Sequence, residues 1–255
     1  MRILLTNDDG VTSPGIVLLA KSLREAGHRV FVVAPDSNMS GTSHSITFLN
    51  IPCKLNQIEN DTWSCSGTPV DCVIIALLGG IPELCIKETR ANAPDLLLAG
   101  INVGANIGTD IVYSGTAAAA RQGSFFSIPS IALSLVEGDE GWHWGPVISF
   151  ITNRLEEISG YWKEGTFVNV NFPNTKAGAS GLVPAFPSQR CYNDGIKTFP
   201  APYGGYYCFA KVGDITSSPE PLNNGQGSDW DAVKKNNASI SVVFSQPVVV
   251  GKDGA

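Results

Sequence analysis

Ile3-Leu4-Leu5-Thr6-Asn7-Asp8-Asp9-Gly10 is a short apolar run that breaks into polar and acidic residues just before a glycine. Downstream, Ile16, Leu18, Leu19, Leu23 and Ala26 recur at helical spacing until Gly27, the pattern of an amphipathic helix with a glycine stop. Val30-Phe31-Val32-Val33-Ala34 then runs apolar on both faces, as a strand does when helices cover both sides of a parallel sheet. The opening is therefore β-α-β.

The same alternation continues outward. A strand at Leu96-Leu97-Leu98-Ala99 leads into Gly100-Ile101-Asn102-Val103-Gly104-Ala105-Asn106, followed by an Ala-rich helix from Thr116 to Phe126 and a buried strand at Ser130 to Ser134. Trp144 to Ile158 reads as one amphipathic helix, and Thr166 to Asn171 and Ser239 to Phe244 as further strands. Between the second strand and Leu96, Ile46 to Leu55 and Thr62 to Ser66 fit β structure, with a helix over Val70 to Leu78. This order predicts an α/β fold, a Rossmann-like doubly wound, mostly parallel sheet with right-handed crossovers. After Pro173 the chain turns rich in Gly, Pro, Ser, Asn and aromatics, with Tyr206-Tyr207-Cys208-Phe209 its one obvious strand, so a C-terminal β-hairpin or arm is expected there. The expectation is a single domain: a core of about residues 1–173 plus the terminal strand 238–245, with 174–237 as an arm used in oligomerisation.

Composition sets limits. With 255 residues, 43% hydrophobic and 16% charged, the chain buries a sizeable core and carries no signature of disorder. A net charge of −6 without a dense basic run argues against duplex nucleic acid as a partner. A small anionic substrate then needs a metal to supply positive charge. The first residues turn polar too soon for a secretory segment and no apolar stretch is long enough to span a bilayer, so a cytoplasmic protein without a membrane partner is expected. The six cysteines contain no Cys-x-x-Cys pair and read for the most part as reduced, buried side chains.

In open α/β sheets ligands bind beyond the carboxyl ends of the strands. The polar residues collected there are Asn7, Asp8 and Asp9, then Asp36, Asn38, Ser40, Thr42, Ser43 and His44, then Asn102, Asn106 and Asp110, then Ser114-Gly115-Thr116. Adjacent carboxylates repel, and a divalent cation removes the conflict. Mg²⁺ and Mn²⁺ prefer oxygen, so two carboxylates, a Ser hydroxyl and an Asn carbonyl make a suitable partial shell. Asp9-Gly10 also reads as a turn and Asp8 as a helix cap; their place at the end of the first sheet strand favours the metal. Ser114-Gly115-Thr116 opens a helix, which is an anion site and an N-cap at once. Gly67-Thr68-Pro69-Val70-Asp71 is a structural helix start. His44 is the histidine placed to meet a phosphate, whereas His28 reads as exposed and His143 as part of a loop. No Gly-x-Ser-x-Gly elbow supports a serine hydrolase.

Together Asn7-Asp8-Asp9-Gly10, Val32 to Asp36, Ser40 to Thr47, Gly67 to Val73, Gly100 to Asn106 and Tyr113-Ser114-Gly115-Thr116 make the chain resemble the SurE family of survival-protein nucleotidases. Asn169 to Pro173 and Gly227 to Val233 extend the likeness more thinly. The resemblance implies one divalent cation per subunit held by Asp8, Asp9, Ser40 and Asn102. It implies hydrolysis of nucleoside 5′- and 3′-monophosphates, with polyphosphate as a further substrate, and a homodimer or homotetramer that exchanges its C-terminal arm. Some members use a His from that swapped segment; none lies beyond His143 here, so that role is not carried over.

The expected mechanism is direct attack, the cation polarising a phosphate oxygen and lowering the pKa of water. Asn106 and the N–H groups of Ser114, Gly115 and Thr116 would hold the equatorial oxygens, with Ser43 and His44 as further substrate contacts and Asp8 or Asp9 as general base. Two rivals stand beside it. A haloacid-dehalogenase-like phosphatase needs Asp-x-Asp with a nucleophilic first Asp, where this chain has Asn7. A Mg²⁺-binding signalling module would be about half this length.

Overall fold

The computed structural model describes residues 1–138, 140–211, 213, 215–217 and 227–248, apart from the side chains of residues 191 and 215–217. The strands are β1 Arg2–Thr6, β2 Arg29–Pro35, β3 Leu55–Glu59, β4 Thr62–Cys65, β5 Leu96–Val103, β6 Ser130–Leu135, β7 Thr166–Phe172, β8 Leu182–Pro184, β9 Arg190–Tyr192, β10 Gly195–Pro200, β11 Tyr206–Lys211, β12 Ile215–Ser217 and β13 Ala238–Phe244. The α-helices are α1 Pro14–Glu25, α2 Pro69–Ile75, α3 Gly115–Phe125, α4 Trp144–Asn153, α5 Leu155–Ser159 and α6 Asp229–Lys234.

Nine strands form one sheet in the order β3-β4-β2-β1-β5-β6-β7-β13-β8. Pairings from β4 through β7 are parallel, while β3 on β4 and β13 on β7 are antiparallel. From β1 the chain steps outward to β2, then returns to β1's other flank through β5. The crevice beyond β1 and β5 is thus the switch point at which such sheets bind ligands.

The apolar runs explain the two layers. Successive strand residues point to opposite faces, so Ile3 and Leu5 join Ile16, Leu19, Leu23, Val147 and Ile151 under α1 and α4. Leu4, Phe31 and Val33 instead join Cys72, Val73, Ala117 and Ala120 under α2 and α3. Both faces of the parallel strands are therefore dry, which is why the runs read as continuous rather than alternating.

Three expected elements differ. Ile46 to Leu55 is not a strand; β3 starts at Leu55, and the preceding residues form a loop tied to the N-terminus of α2. There Asp71 accepts from the Thr47 N–H and hydroxyl, and the Thr68 hydroxyl donates to the Ser45 carbonyl at 2.7 Å, so the loop's polar groups are spent locally instead of in a ladder. The single helix expected over Trp144 to Ile158 breaks at Arg154, whose φ of −120° and ψ of 21° end α4. Within 174–237 there is more regular structure than Tyr206 to Phe209. β8 pairs with β13 in the main sheet, and α6 precedes β13. The part outside the sheet is Arg190 to Ser217, where β9 pairs with β12 and β10 with β11, both antiparallel.

Candidate active site

Beyond β1 and β5 lies an open cavity of about 610 Å³ whose walls include Asp8, Ser40, Asn102, Asn106, Asp110, Tyr113, Ser114, Tyr192 and Asp194. An apolar hollow of about 310 Å³ between α1 and the β3–β4 hairpin offers Val11, Ile16, Val17 and Ile58, and none of these acids or amides.

Asp8 follows β1 and is almost fully buried. The first turn of α3 meets it: the Thr116 hydroxyl donates to Oδ1 at 2.5 Å and the Thr116 backbone N–H to Oδ2 at 3.1 Å. This approach requires a glycine at 115, because a Cβ there would stand 2.9 Å from the Asp8 Cβ. Burial pushes the Asp8 carboxyl up from its ordinary range, and the Thr116 bonds pull back against it. The helix dipole supports the same ionised form.

Asp9 is joined to the cavity wall through Val103, whose N–H donates to its Oδ2 at 2.9 Å. Burial pushes its carboxyl up to about 6, with the Val103 N–H opposing and the neighbouring Asp8 charge adding. Asn102 donates its Nδ2 to the Gly104 carbonyl at 2.9 Å, which leaves its Oδ1 as the unspent end. The loop after β2 brings Ser40 to the wall, its backbone N–H donating to Asn38 Oδ1 at 2.9 Å. Every donor in this set is oxygen, and the two desolvated carboxylates have no cationic side chain opposite them among the described residues. That chemistry fits a hard divalent cation. Among the described residues no group of three or more His, Cys, Asp or Glu is clustered for a metal; the set has two acids, with neutral oxygens supplying the rest.

Asn106 is fixed on every side. Its N–H donates to Asn171 Oδ1 at 2.8 Å, its carbonyl accepts from Asn169 Nδ2 at 2.9 Å and Asn171 Nδ2 at 3.1 Å, and its side chain meets Ser134 Oγ at 2.8 Å. Those partners are fully buried on β6 and β7. The loop continues through Gly108, whose φ of 57° and tight approach to the Ser188 carbonyl admit no Cβ. Asp229, fully buried, accepts from the N–H groups of Gly108 at 2.8 Å, Ser188 at 3.0 Å and Trp230 at 2.8 Å. Asp110 pairs with Arg190, both largely shielded, and Arg190 lies 5.1 Å over the Trp230 ring.

Asp8, Ser40, Asn102, Asn106 and Ser114 are thus brought together around one cavity, with Asp9 behind Val103. Gly115 and Thr116 are adjacent but differently used: the Thr116 N–H serves Asp8 and the Ala117 N–H serves the Ser114 hydroxyl at 3.0 Å. Ser43 donates its hydroxyl to the Val112 carbonyl at 2.7 Å. His44 turns away to a different hollow beside Arg121 and Phe125. Asn7 is fully buried with its Nδ2 on the Gly10 carbonyl at 2.9 Å, so it shapes the turn. Tyr192 and Asp194 escaped the sequence reading; Tyr192 ends the three-residue β9 and Asp194 lies just before β10, segments of the arm too short for periodicity to register.

The profile of the survival protein SurE family matches residues 3–193. This chain belongs to that family. Its fold agrees: a crystal structure of SurE protein from Aquifex aeolicus superposes with a TM-score of 0.77 at 33% identity, covering 97% of this chain and 95% of that one. A protein named 5′-nucleotidase SurE from Geotalea uraniireducens is 36% identical over 246 residues, 94% of this chain and 92% of the relative. One of the same name from Synechococcus elongatus is 36% identical over 250 residues, 94% and 92% of the two chains. In Xanthomonas campestris the family member is 46% identical over 176 residues, 68% of this chain and 64% of its own.

Proposed function

We propose that this chain is a metal-dependent phosphomonoesterase that hydrolyses nucleoside 5′-monophosphates to nucleoside and phosphate. The observation carrying this reading is the convergence of the desolvated Asp8 carboxylate, Ser40, Asn102 and Asn106 at the β1/β5 switch point. The relatives' name, 5′-nucleotidase, supports the substrate class. Nucleoside 3′-monophosphates and short polyphosphate are proposed as further substrates.

Asp8, Asp9, Ser40 and Asn102 would hold one divalent cation, Mg²⁺ or Mn²⁺. When bound, it supplies Lewis acidity towards a phosphate oxygen and lowers the pKa of water. The chain's own residues do the rest. Thr116 and the α3 N-terminus favour the ionised form of Asp8 against the effect of its burial and keep it aimed. Asn106 is immobilised by three buried side chains at the cavity wall; with its amide turned so that Ser134 donates to Oδ1, its NH₂ would face the equatorial phosphate oxygens as charge develops. Asp8 or Asp9 would take a proton from the attacking water as general base. A haloacid-dehalogenase route has no carboxylate at position 7 to carry the phosphoryl group.

No helix among the described residues is long and apolar enough to cross a membrane, and a cytoplasmic location is proposed with this chemistry. A homodimer or homotetramer is proposed through the arm, since β10 and β11 form a separate two-stranded sheet, a unit that is marginal in water without a partner. Phosphate release should be screened over nucleoside 5′- and 3′-monophosphates and polyphosphate, with Mg²⁺, Mn²⁺ or chelator, in the parent and in Asp8→Asn and Asp9→Asn. Release with a metal, abolished by chelator and by either substitution, is expected. Full activity in both variants would sink the scheme.

A further inference from the structure

On the far side of α3 from Asp8, towards the end of β13, a second hollow of about 440 Å³ is lined by His44, Arg121, Phe125, Phe244, Ser245 and Gln246. Arg121 is half-buried, its guanidinium 5.2 Å from the Phe167 ring centroid. Among the described residues it has no carboxylate partner and makes no hydrogen bond, and burial holds its pKa below the ordinary arginine range. A guanidinium has five N–H donors, and none of those of Arg121 is bonded to a described residue.

The surroundings say what would answer it. His44 bonds Gln122 Oε1 through Nε2 at 2.9 Å, and its Nδ1 is buried with no partner among the described residues. Burial and the adjacent Arg121 charge hold the His44 ring towards its neutral form, so Arg121 is the positive charge facing this hollow. Phe125 and Phe244 are apolar rings left 41% and 65% exposed at its walls, and His44 lies 5.6 Å from the Phe125 ring. A bare inorganic anion would not need the rings, and an apolar group would not answer the guanidinium.

We propose that this hollow is a second binding site, which takes a small anion carrying a flat ring, with Arg121 gripping the charge and Phe125 and Phe244 covering the ring. Aromatic carboxylates and nucleoside monophosphates share that chemistry. The site is distinct from the cavity at Asp8 and requires no turnover, so it stands or falls separately from the phosphatase reading.

The test is titration of the full chain in chelator, where hydrolysis is suppressed, with benzoate, adenosine 5′-monophosphate and inorganic phosphate, read by backbone amide NMR shifts. Benzoate, adenosine 5′-monophosphate or both should shift the signals of Arg121, Gln122, Phe125, Ser245 and Gln246, and phosphate should bind at least tenfold more weakly. Arg121→Met, which keeps the stem and removes the charge, should weaken binding at least tenfold. Phe244→Ala, at an exposed position that tolerates truncation, should weaken it severalfold and decides the matter if Arg121→Met does not fold. Asn106→Ala, in the first cavity, should leave these shifts intact. The proposal is overturned if neither aromatic anion produces them, if phosphate binds as tightly, if affinity survives both Arg121→Met and Phe244→Ala, or if Asn106→Ala abolishes them.

Discussion

Thr116 holds both oxygens of the Asp8 carboxylate, its hydroxyl on Oδ1 at 2.5 Å and its backbone N–H on Oδ2 at 3.1 Å. The start of α3 is thus committed to a protein carboxylate before any substrate arrives. Replacing Thr116 by Val preserves shape and deletes one charge-assisted bond, worth about 1.5–3 kcal/mol when buried. The variant should melt several degrees lower by calorimetry, and nucleotide hydrolysis should fall at least tenfold. Thr116→Ser, which restores the hydroxyl, should recover most of both. Unchanged hydrolysis in Thr116→Val would remove Thr116 from the positioning of Asp8.

Asp9 gives a pH signature in the metal-free protein. Its folded carboxyl titrates at about 6 against an ordinary value of 3.8, so the folded state binds the proton more tightly than the unfolded chain. The resulting stability is complete below about pH 4 and lost as pH rises through about 6. With a third of the group open to solvent, the loss is expected to be about 1 kcal/mol. In chelator the melting temperature should therefore decline between about pH 4 and 6.5 by more in the parent than in Asp9→Asn. Parallel curves for the two proteins would rule the effect out.

Asp229 sits far along the chain yet binds the loop that bears Asn106. It accepts from the backbone N–H groups of Gly108, Ser188 and Trp230, so Asp229→Ala would leave the two buried donors of Gly108 and Ser188 unanswered, at about 1–3 kcal/mol each, and the half-buried Trp230 N–H as well. The substitution should destabilise the protein by about 3 kcal/mol or more and accelerate hydrogen exchange at the Gly108 amide. Asp229→Asn, with one acceptor oxygen, should fall between. A Gly108 amide as protected in Asp229→Ala as in the parent would contradict this coupling.

Asn106 and Ser134 make a finer prediction. The oxygen and nitrogen of an amide are interchangeable in shape, and a serine hydroxyl donates or accepts, so Ser134 can hold Asn106 with its NH₂ towards the cavity, as a phosphate requires. Asn106→Asp offers only acceptors and adds charge; hydrolysis should drop about 100-fold or more, the usual loss for one oxyanion donor. Ser134→Ala frees the amide without removing it, and kcat should fall about tenfold with KM little changed. A change confined to KM in Ser134→Ala would mean that Ser134 does not orient the amide for the transition state.

Much of this was legible in the sequence because the parallel strands are dry on both faces. Ile3-Leu4-Leu5 and Leu96-Leu97-Leu98 announce themselves as apolar runs, and their polar ends, Asp8 and Asn102, fall on one crevice. Where side chains choose between partners the sequence was silent. Ser114-Gly115-Thr116 reads as an anion site, but nothing local reveals that the anion is Asp8, 108 residues earlier. His44 sits in a loop beside Ser40, and its direction is set by Gln122 and Phe125 on α3. Tyr192 and Asp194 reach the cavity from an arm whose short strands carry no period.

That arm supplies the last prediction. β10 and β11 pair over six residues each, with Phe199 and Phe209 in edge contact at 5.7 Å between ring centroids. Their side chains stand 54% and 57% exposed, and Tyr207, opposite Phe199 on the same face of the hairpin, is 57% exposed. A contiguous apolar patch on a lone hairpin marks an interaction surface, and a second copy of the chain offers the same patch for burial. The parent should therefore run above monomer mass by light scattering, and Phe199→Lys with Phe209→Lys should shift it towards monomer. Because neither ring reaches the nine-stranded sheet's core clusters, far-ultraviolet circular dichroism should be unchanged. A monomeric parent, or an assembly that survives both charges, would show that this hairpin does not join the subunits.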